Sequence, residues 1–113
     1  MTDWTKAPKM YIAGPYSGDV KGNVRKAWLA GREIVQKGYI PVIPHTMTSG
    51  MEDILTPGDW YAITLELLKM CDAIYMLKGW GKSWGAKSEY DYARKEMGIP
   101  VYCQGETEPE ALR

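Results

Sequence analysis

Four short apolar runs, each separated from the next by a stretch long enough for a helix, constrain this chain more than any other feature. The runs are Lys9–Ala13, Tyr39–Ile43, about 72–77 and Ile99–Cys103. Between them apolar residues recur at helical spacing. Val24, Ala27, Trp28, Gly31, Ile34 and Val35 mark the first helix, Trp60, Ile63, Leu67 and Leu68 the second, and Ala86, Tyr90, Ala93 and Met97 the third. Strands that alternate with helices of this length form β-α-β units and a mainly parallel sheet. The expected fold is α/β: a three-layer, doubly wound sandwich of the Rossmann or flavodoxin-like kind, with a small parallel sheet in the strand order 2-1-3-4.

Local signals set the expected boundaries. Asn23 is an N-cap candidate for a helix over about 24–37, with Gly38 at C′. Thr56-Pro57-Gly58-Asp59 supplies a cap, a proline at the first helical position and an acid at the third, opening a helix over about 57–70. Ser83 caps a third helix over about 84–97 that stops at Gly98. Residues 44–55 read as an irregular segment with the length of a binding loop or lid. Residues 1–8 read as a loose leader, and the polar tail from Gln104 as peripheral or as a short last helix. The chain is thus expected to be one domain, 1–113, with its core at about 9–103.

Fourteen Lys and Arg balance fourteen Asp and Glu. No global field therefore draws the protein to nucleic acid polymers or membranes, and an anionic ligand has to be held by local groups. No apolar run approaches the ~20 residues of a membrane span, and the N-terminus lacks a signal-peptide pattern. Cys71 and Cys103 lie in or beside apolar segments and read as small buried thiols. A cytoplasmic location is expected. Five Trp and eight Tyr, with no Phe, favour rings that have a polar tip, as found in clefts and subunit interfaces. A homo-oligomer, dimer or higher, is the expectation.

In a 2-1-3-4 sheet, ligands bind at the carboxyl ends of strands one and three, where the strand order reverses. That point brings Gly14-Pro15-Tyr16-Ser17-Gly18 beside Gly79–Glu89. Gly85 and Ala86 leave the backbone bare enough for close approach. Glu89 falls in the first two turns of the third helix, on the face meant for the sheet. It admits two readings: an acid that complements the helix dipole, or a positioned carboxylate held ionised by that dipole and able to act as a nucleophile. Tyr16 and Ser17 can receive a sugar or phosphate at the start of the first helix, and Ser83 can serve as cap or as phosphate ligand. His45, the only histidine, either packs in its loop or touches ligand. Asp59, Asp72, Lys78 and Lys82 read as boundary or solvated groups. The chain lacks G-x-G-x-x-G, the P-loop pattern and G-x-S-x-G, which argues against dinucleotide oxidoreductases, P-loop nucleotidases and α/β-hydrolases. One histidine and two scattered cysteines make no zinc site. No metal or cofactor is expected.

Ile12-Ala13-Gly14-Pro15-Tyr16-Ser17, Pro41-Val42-Ile43-Pro44-His45, Cys71–Leu77 and Gly79-Trp80 with Ser83–Glu89 together resemble the nucleoside 2-deoxyribosyltransferase superfamily. The likeness is greatest to its short phage- and prophage-associated members and extends to the 2′-deoxynucleoside 5′-phosphate N-hydrolases. This resemblance implies cleavage or exchange of the N-glycosidic bond of a nucleoside or nucleoside 5′-monophosphate. Glu89 would then attack the sugar C1′ to form a glycosyl-enzyme, with Tyr16 near the nucleophile and sugar. Gly14, Pro15, Ser17, His45, Ser83, Gly85 and Ala86 would line the substrate site, in an oligomer whose sites a neighbouring subunit completes.

The chain departs from that pattern at one position. Many relatives carry a proton-transferring aspartate eight residues before the strand-opening aspartate, and counting back from Asp72 reaches Thr64. Glu66, on another helix face, or Asp59 would have to substitute. A non-catalytic nucleotide-binding module, serving as a sensor or sequestering protein, is therefore the alternative. A phosphoribohydrolase of the cytokinin-activating type fits less well, because Ser83–Glu89 lacks its glycine run. A flavodoxin-shaped interaction domain leaves Glu89 unexplained.

Overall fold

The computed structural model describes residues 2–113. Its elements run in the order β1 (Lys9–Ala13), α1 (Val20–Gln36), β2 (Ile40–Val42), α2 (Pro44–Met47), α3 (Pro57–Lys69), β3 (Ala73–Met76), α4 (Trp84–Tyr92) and β4 (Val101–Cys103). All strand pairs are parallel, and the sheet order is β2-β1-β3-β4. Among the described residues, no helix is long and apolar enough to cross a membrane.

The two central strands are apolar on both faces because both faces are covered. Met10, Ile12 and Tyr75 pack with Ala27, Ala30 and Ile34 of α1. Tyr11, Ala13, Ile74 and Met76 pack with Leu68 of α3 and Ala86 of α4. The layers are therefore α1, the sheet, and α3 with α4. The tail runs back over the α1 side: Tyr75 donates to Glu108 at 2.7 Å, Tyr39 donates to the Glu110 carbonyl at 2.8 Å, and Leu112 N–H reaches the Lys37 carbonyl at 2.7 Å. It is a strap, with no final helix. At the amino edge of the sheet the Asp72 carboxylate accepts the Lys9 amide at 2.8 Å, the boundary role expected of it.

Two expectations are corrected. The first helix opens at Val20, capped by Asp19, whose carboxylate accepts the Gly22 amide at 3.1 Å. A Cβ on Gly22 would stand 2.1 Å from an Asp19 oxygen, so the glycine belongs to the cap and does not extend the loop. Asn23 lies inside the helix and donates to the Tyr16 and Ser17 carbonyls at 3.1 and 3.0 Å, tying the β1–α1 loop down. Residues 44–47 are not irregular but form α2, with Pro44 at its first position, where the missing N–H costs nothing. The third helix changes to a π-helical turn over Ala93–Met97 before Gly98, at φ +65°, ends it.

Candidate active site

Strands β1 and β3 end side by side, joined where the Leu77 amide donates to the Ala13 carbonyl at 2.8 Å. A Cβ on Gly14 would stand 2.8 Å from a Leu77 methyl, so the β1 loop needs glycine to pass this close to β3. Two helices begin at the same edge. The α3 N-cap is Thr56, in a reciprocal capping box with Asp59. The α4 N-cap is Ser83, whose hydroxyl accepts the Ala86 amide at 3.2 Å. Ser83 thus fills the capping role expected of it. Ala86, 1% exposed, turns its side chain toward the sheet.

Glu89 is the buried acid of this arrangement, 7% exposed. Its Oε2 accepts a hydrogen bond from the Tyr11 phenol, which rises from the middle of β1. Thr64 of α3 is the third member. Its hydroxyl donates to the Tyr61 carbonyl at 3.1 Å and also favours the ionised forms of both Glu89 and Tyr11. Burial opposes that ionisation and wins, raising Glu89 to about 7 despite the hydrogen-bonding help of Tyr11 and Thr64. The dipole argument therefore misses the dominant effect, desolvation. The Tyr11 phenol is raised well above its usual range, first by burial and then by Glu89, so it stays a donor.

The β1 loop carries the other candidates. His45 is 5% exposed, with Nε2 3.1 Å from the Gly14 carbonyl and 3.0 Å from the Pro15 carbonyl. Two acceptors assign the proton to Nε2, and burial lowers the pKa, so the ring is neutral. Its Nδ1 is buried without a hydrogen-bond partner. His45 thereby fixes the Gly14-Pro15 backbone, while Ser17 remains exposed. Tyr16 does not contact Glu89: its phenol donates to Glu52 in the loop before α3, and its ring meets Trp60 edge-on at 3.8 Å between centroids. Burial and then the Glu52 carboxylate raise Tyr16 to about 12. The structure thus brings Glu89, Tyr11 and Thr64 together and sets Tyr16, His45 and Gly14 in an adjoining wall. Among the described residues, no three His, Cys, Asp or Glu side chains are grouped as metal ligands.

Spacing and motifs in the sequence do not single out Tyr11. Its signal was a phenol in the middle of a strand apolar on both faces, since a buried tyrosine hydroxyl needs a partner.

The model of one protein family, domain of unknown function DUF4406, matches residues 8–103. The chain belongs to the DUF4406 family. The matched segment spans all four strands and holds every residue of this DUF4406 site, from Tyr11 through Thr64 to Glu89. No curated protein matches the chain.

Proposed function

We propose that this DUF4406 protein cleaves or exchanges the N-glycosidic bond of a nucleoside or nucleoside 5′-monophosphate through a glycosyl ester on Glu89. The observation that carries the reading is a buried carboxylate on α4, gripped by the Tyr11 phenol from the middle of β1. The resemblance to nucleoside 2-deoxyribosyltransferases supports it.

In the first step an ionised Glu89 oxygen attacks C1′. The C1′–N bond breaks, its electron pair leaves with the base, and the base takes a proton from water at the mouth. The carboxylate also stabilises the oxocarbenium character of the transition state, and more strongly in a dry site than in water. In hydrolysis a second water then adds to C1′ as the ester C1′–O bond breaks. The electrons return to Glu89, and the released proton neutralises the hydroxide left by the first step. In exchange, a ring nitrogen of a second base takes the place of that water. A carboxyl group poised at about 7 supplies enough ionised form for attack near neutrality. The partner in this reading is a small nucleoside or nucleotide. Self-association belongs to the proposal as well, supported by exposed Trp28, Leu29 and Met70.

One observation favours a second reading. Thr64 places a hydroxyl, with no useful acidity, beside the nucleophile, and lack of a general acid costs ~10²–10⁴ in rate. The crevice would then belong to a nucleotide-binding module. Chromatography separates the two after incubation with ribo- and deoxyribonucleosides and their 5′-monophosphates. Free base is expected with the natural protein and none with Glu89→Gln. Nucleotide binding without base release from any substrate would replace the enzyme with the binding module.

A further inference from the structure

α1 and α3 turn matched stripes to solvent. On α1 the exposed residues Lys21, Arg25, Trp28 and Arg32 follow the spacing i, i+4, i+7, i+11 and so lie along one line of the helix. On α3 the exposed residues Asp59, Ile63, Glu66 and Met70, the last at its C-cap, repeat that spacing. The first stripe carries cations and no acid, the second acids and no cation, in a chain whose charges balance. Each also shows large apolar surface: Trp28 is 44% exposed, Ile63 38% and Met70 63%. Among the described residues, Lys21, Arg25 and Arg32 have no ion-pair partner. Arg32 lies over the Trp28 ring, 5.3 Å from its centroid. Glu66 pairs with Lys69 of its own helix at 2.7 Å, an exposed pair that contributes little. Asp59 accepts the Thr56 amide on Oδ2 at 3.0 Å, and its Oδ1 has no partner among the described residues.

Laid antiparallel, the two stripes would match at every position. Arg25 would face Glu66, Trp28 would face Ile63, and Arg32 would face Asp59. The Lys21 stem would cover Met70, with its ammonium beside the last carbonyls of α3, where the helix dipole favours a cation. Laid parallel, the stripes would set Arg25 on Ile63 and Trp28 on Glu66 and keep a single pair of opposite charges. A groove of about 300 Å³ beside Trp28, floored by Gly31, Pro41 and Ile43, can receive an aliphatic side chain. Gly31 lets α1 sit this low on β2, since a Cβ there would stand 2.4 Å from an Ile43 methyl. Sheet extension does not compete with the helices on this side. β2 is an edge strand, and its Ile40 amide points inward to the Pro8 carbonyl at 2.9 Å. The Pro41 nitrogen therefore faces the free edge, with no hydrogen to donate.

We propose that α1 of one copy packs antiparallel on α3 of a second copy, with Trp28 against Ile63 at the centre and the Arg25–Glu66 and Arg32–Asp59 pairs on either side. The apolar centre excludes water, and the charges set register and direction. α1 and α3 lie on opposite sides of the sheet, so one copy cannot engage the same neighbour through both helices. The contact is heterologous: each copy presents α1 to one neighbour and α3 to the next, and assembly runs head to tail. This assigns the self-association proposed above to a defined pair of surfaces. It is independent of the glycosidic reading, so its failure leaves the chemistry of Glu89 untouched.

Sedimentation velocity over a range of protein concentrations tests the contact. The natural protein is expected to grow in mass with concentration, past the dimer, and to dissociate in about 1 M salt, where charges are screened within ~3 Å. Arg25→Glu and Glu66→Arg are each expected to weaken association about tenfold or more, and the chain carrying both to recover it, because the pair re-forms with its signs exchanged. Trp28→Ser and Ile63→Ser separate the two faces. Each alone is expected to stay monomeric, and an equimolar mixture to form a dimer and stop there, since it retains one intact α1 face and one intact α3 face. The charge exchange alters only exposed positions, so it decides the matter even if Trp28→Ser or Ile63→Ser fails to fold. A natural protein that is monomeric at every concentration would overturn the proposal. So would a doubly exchanged chain no better than either single variant, or a closed dimer that the mixture does not restore. Poly-glutamate or a single-stranded oligonucleotide bound through Arg25 by a protein that stays monomeric would give the α1 stripe to that partner and overturn it too.

Discussion

Glu89→Gln is expected to abolish turnover and, at the same time, to make the fold more stable at pH 8. Burial raises the folded-state pKa of Glu89 from 4.5 to about 7. The sign follows from linkage: a group whose folded pKa lies above its unfolded value contributes its full stability below the unfolded pKa. That contribution is lost as pH rises through the folded pKa. Ionised Glu89 thus destabilises the native state by up to about 3 kcal/mol above pH 7, at 1.36 kcal/mol per pKa unit. Glutamine carries no charge at any pH and still offers Tyr11 a carbonyl oxygen. Its advantage should be absent near pH 4 and fully developed at pH 8, where thermal denaturation is expected to shift upward by roughly ten degrees. Turnover should fall at least about a thousandfold, because an amide oxygen is a poor nucleophile. A variant no more stable than the natural protein at pH 8 would mean that Glu89 is solvated, and a variant with normal turnover would remove it from the chemistry.

The second large effect is expected at Tyr11. Tyr11→Phe keeps the ring that fills the core and deletes a hydroxyl that donates to Glu89. A hydrogen bond to a charged group contributes about 1.5–3 kcal/mol, and here it favours the ionised carboxylate. Without it the Glu89 pKa rises further, by roughly one to two units. The acidic limb of the kcat/KM profile should therefore move to higher pH. Activity at pH 7 should drop by about tenfold or more and recover by pH 9. The recovery is the informative part. A loss of equal size at every pH would assign Tyr11 a packing role alone, and an unshifted profile would mean that its phenol does not govern the carboxylate.

The contrast between these residues indicates what the sequence makes legible. The sheet order follows from alternating strands and helices because short crossovers leave few alternatives, and β2-β1-β3-β4 is the order observed. Gly38 and Gly98 mark helix ends by a local rule, and both have positive φ, +97° and +65°. The convergence of the Gly14 and Gly79 loops follows from the same topology. The partner of Glu89 does not, because Tyr11 lies 78 residues away and the bond depends on which face of β1 turns toward α4. The electrostatic sign is not legible locally for a related reason: the dipole is a local property of α4, whereas desolvation is set by three elements closing around one carboxylate. The loop and the family resemblance both set Tyr16 near the sugar, and its phenol is held by Glu52, from a segment with no periodic pattern. At the α1 cap, Asp19 and Asn23 are equally good capping residues by type. Only the approach of Gly22 to the Asp19 carboxylate decides between them.

The central claim is a covalent bond between Glu89 and a sugar carbon. Intact-protein mass spectrometry tests it most directly, after acid quenching of the protein with each nucleoside and nucleoside 5′-monophosphate, followed by peptide mapping. The account predicts a mass increase equal to the sugar or sugar phosphate without its base, located on the peptide that contains Glu89 and absent in Glu89→Gln. Base release with no adduct on Glu89, or an adduct on any other residue, would contradict it.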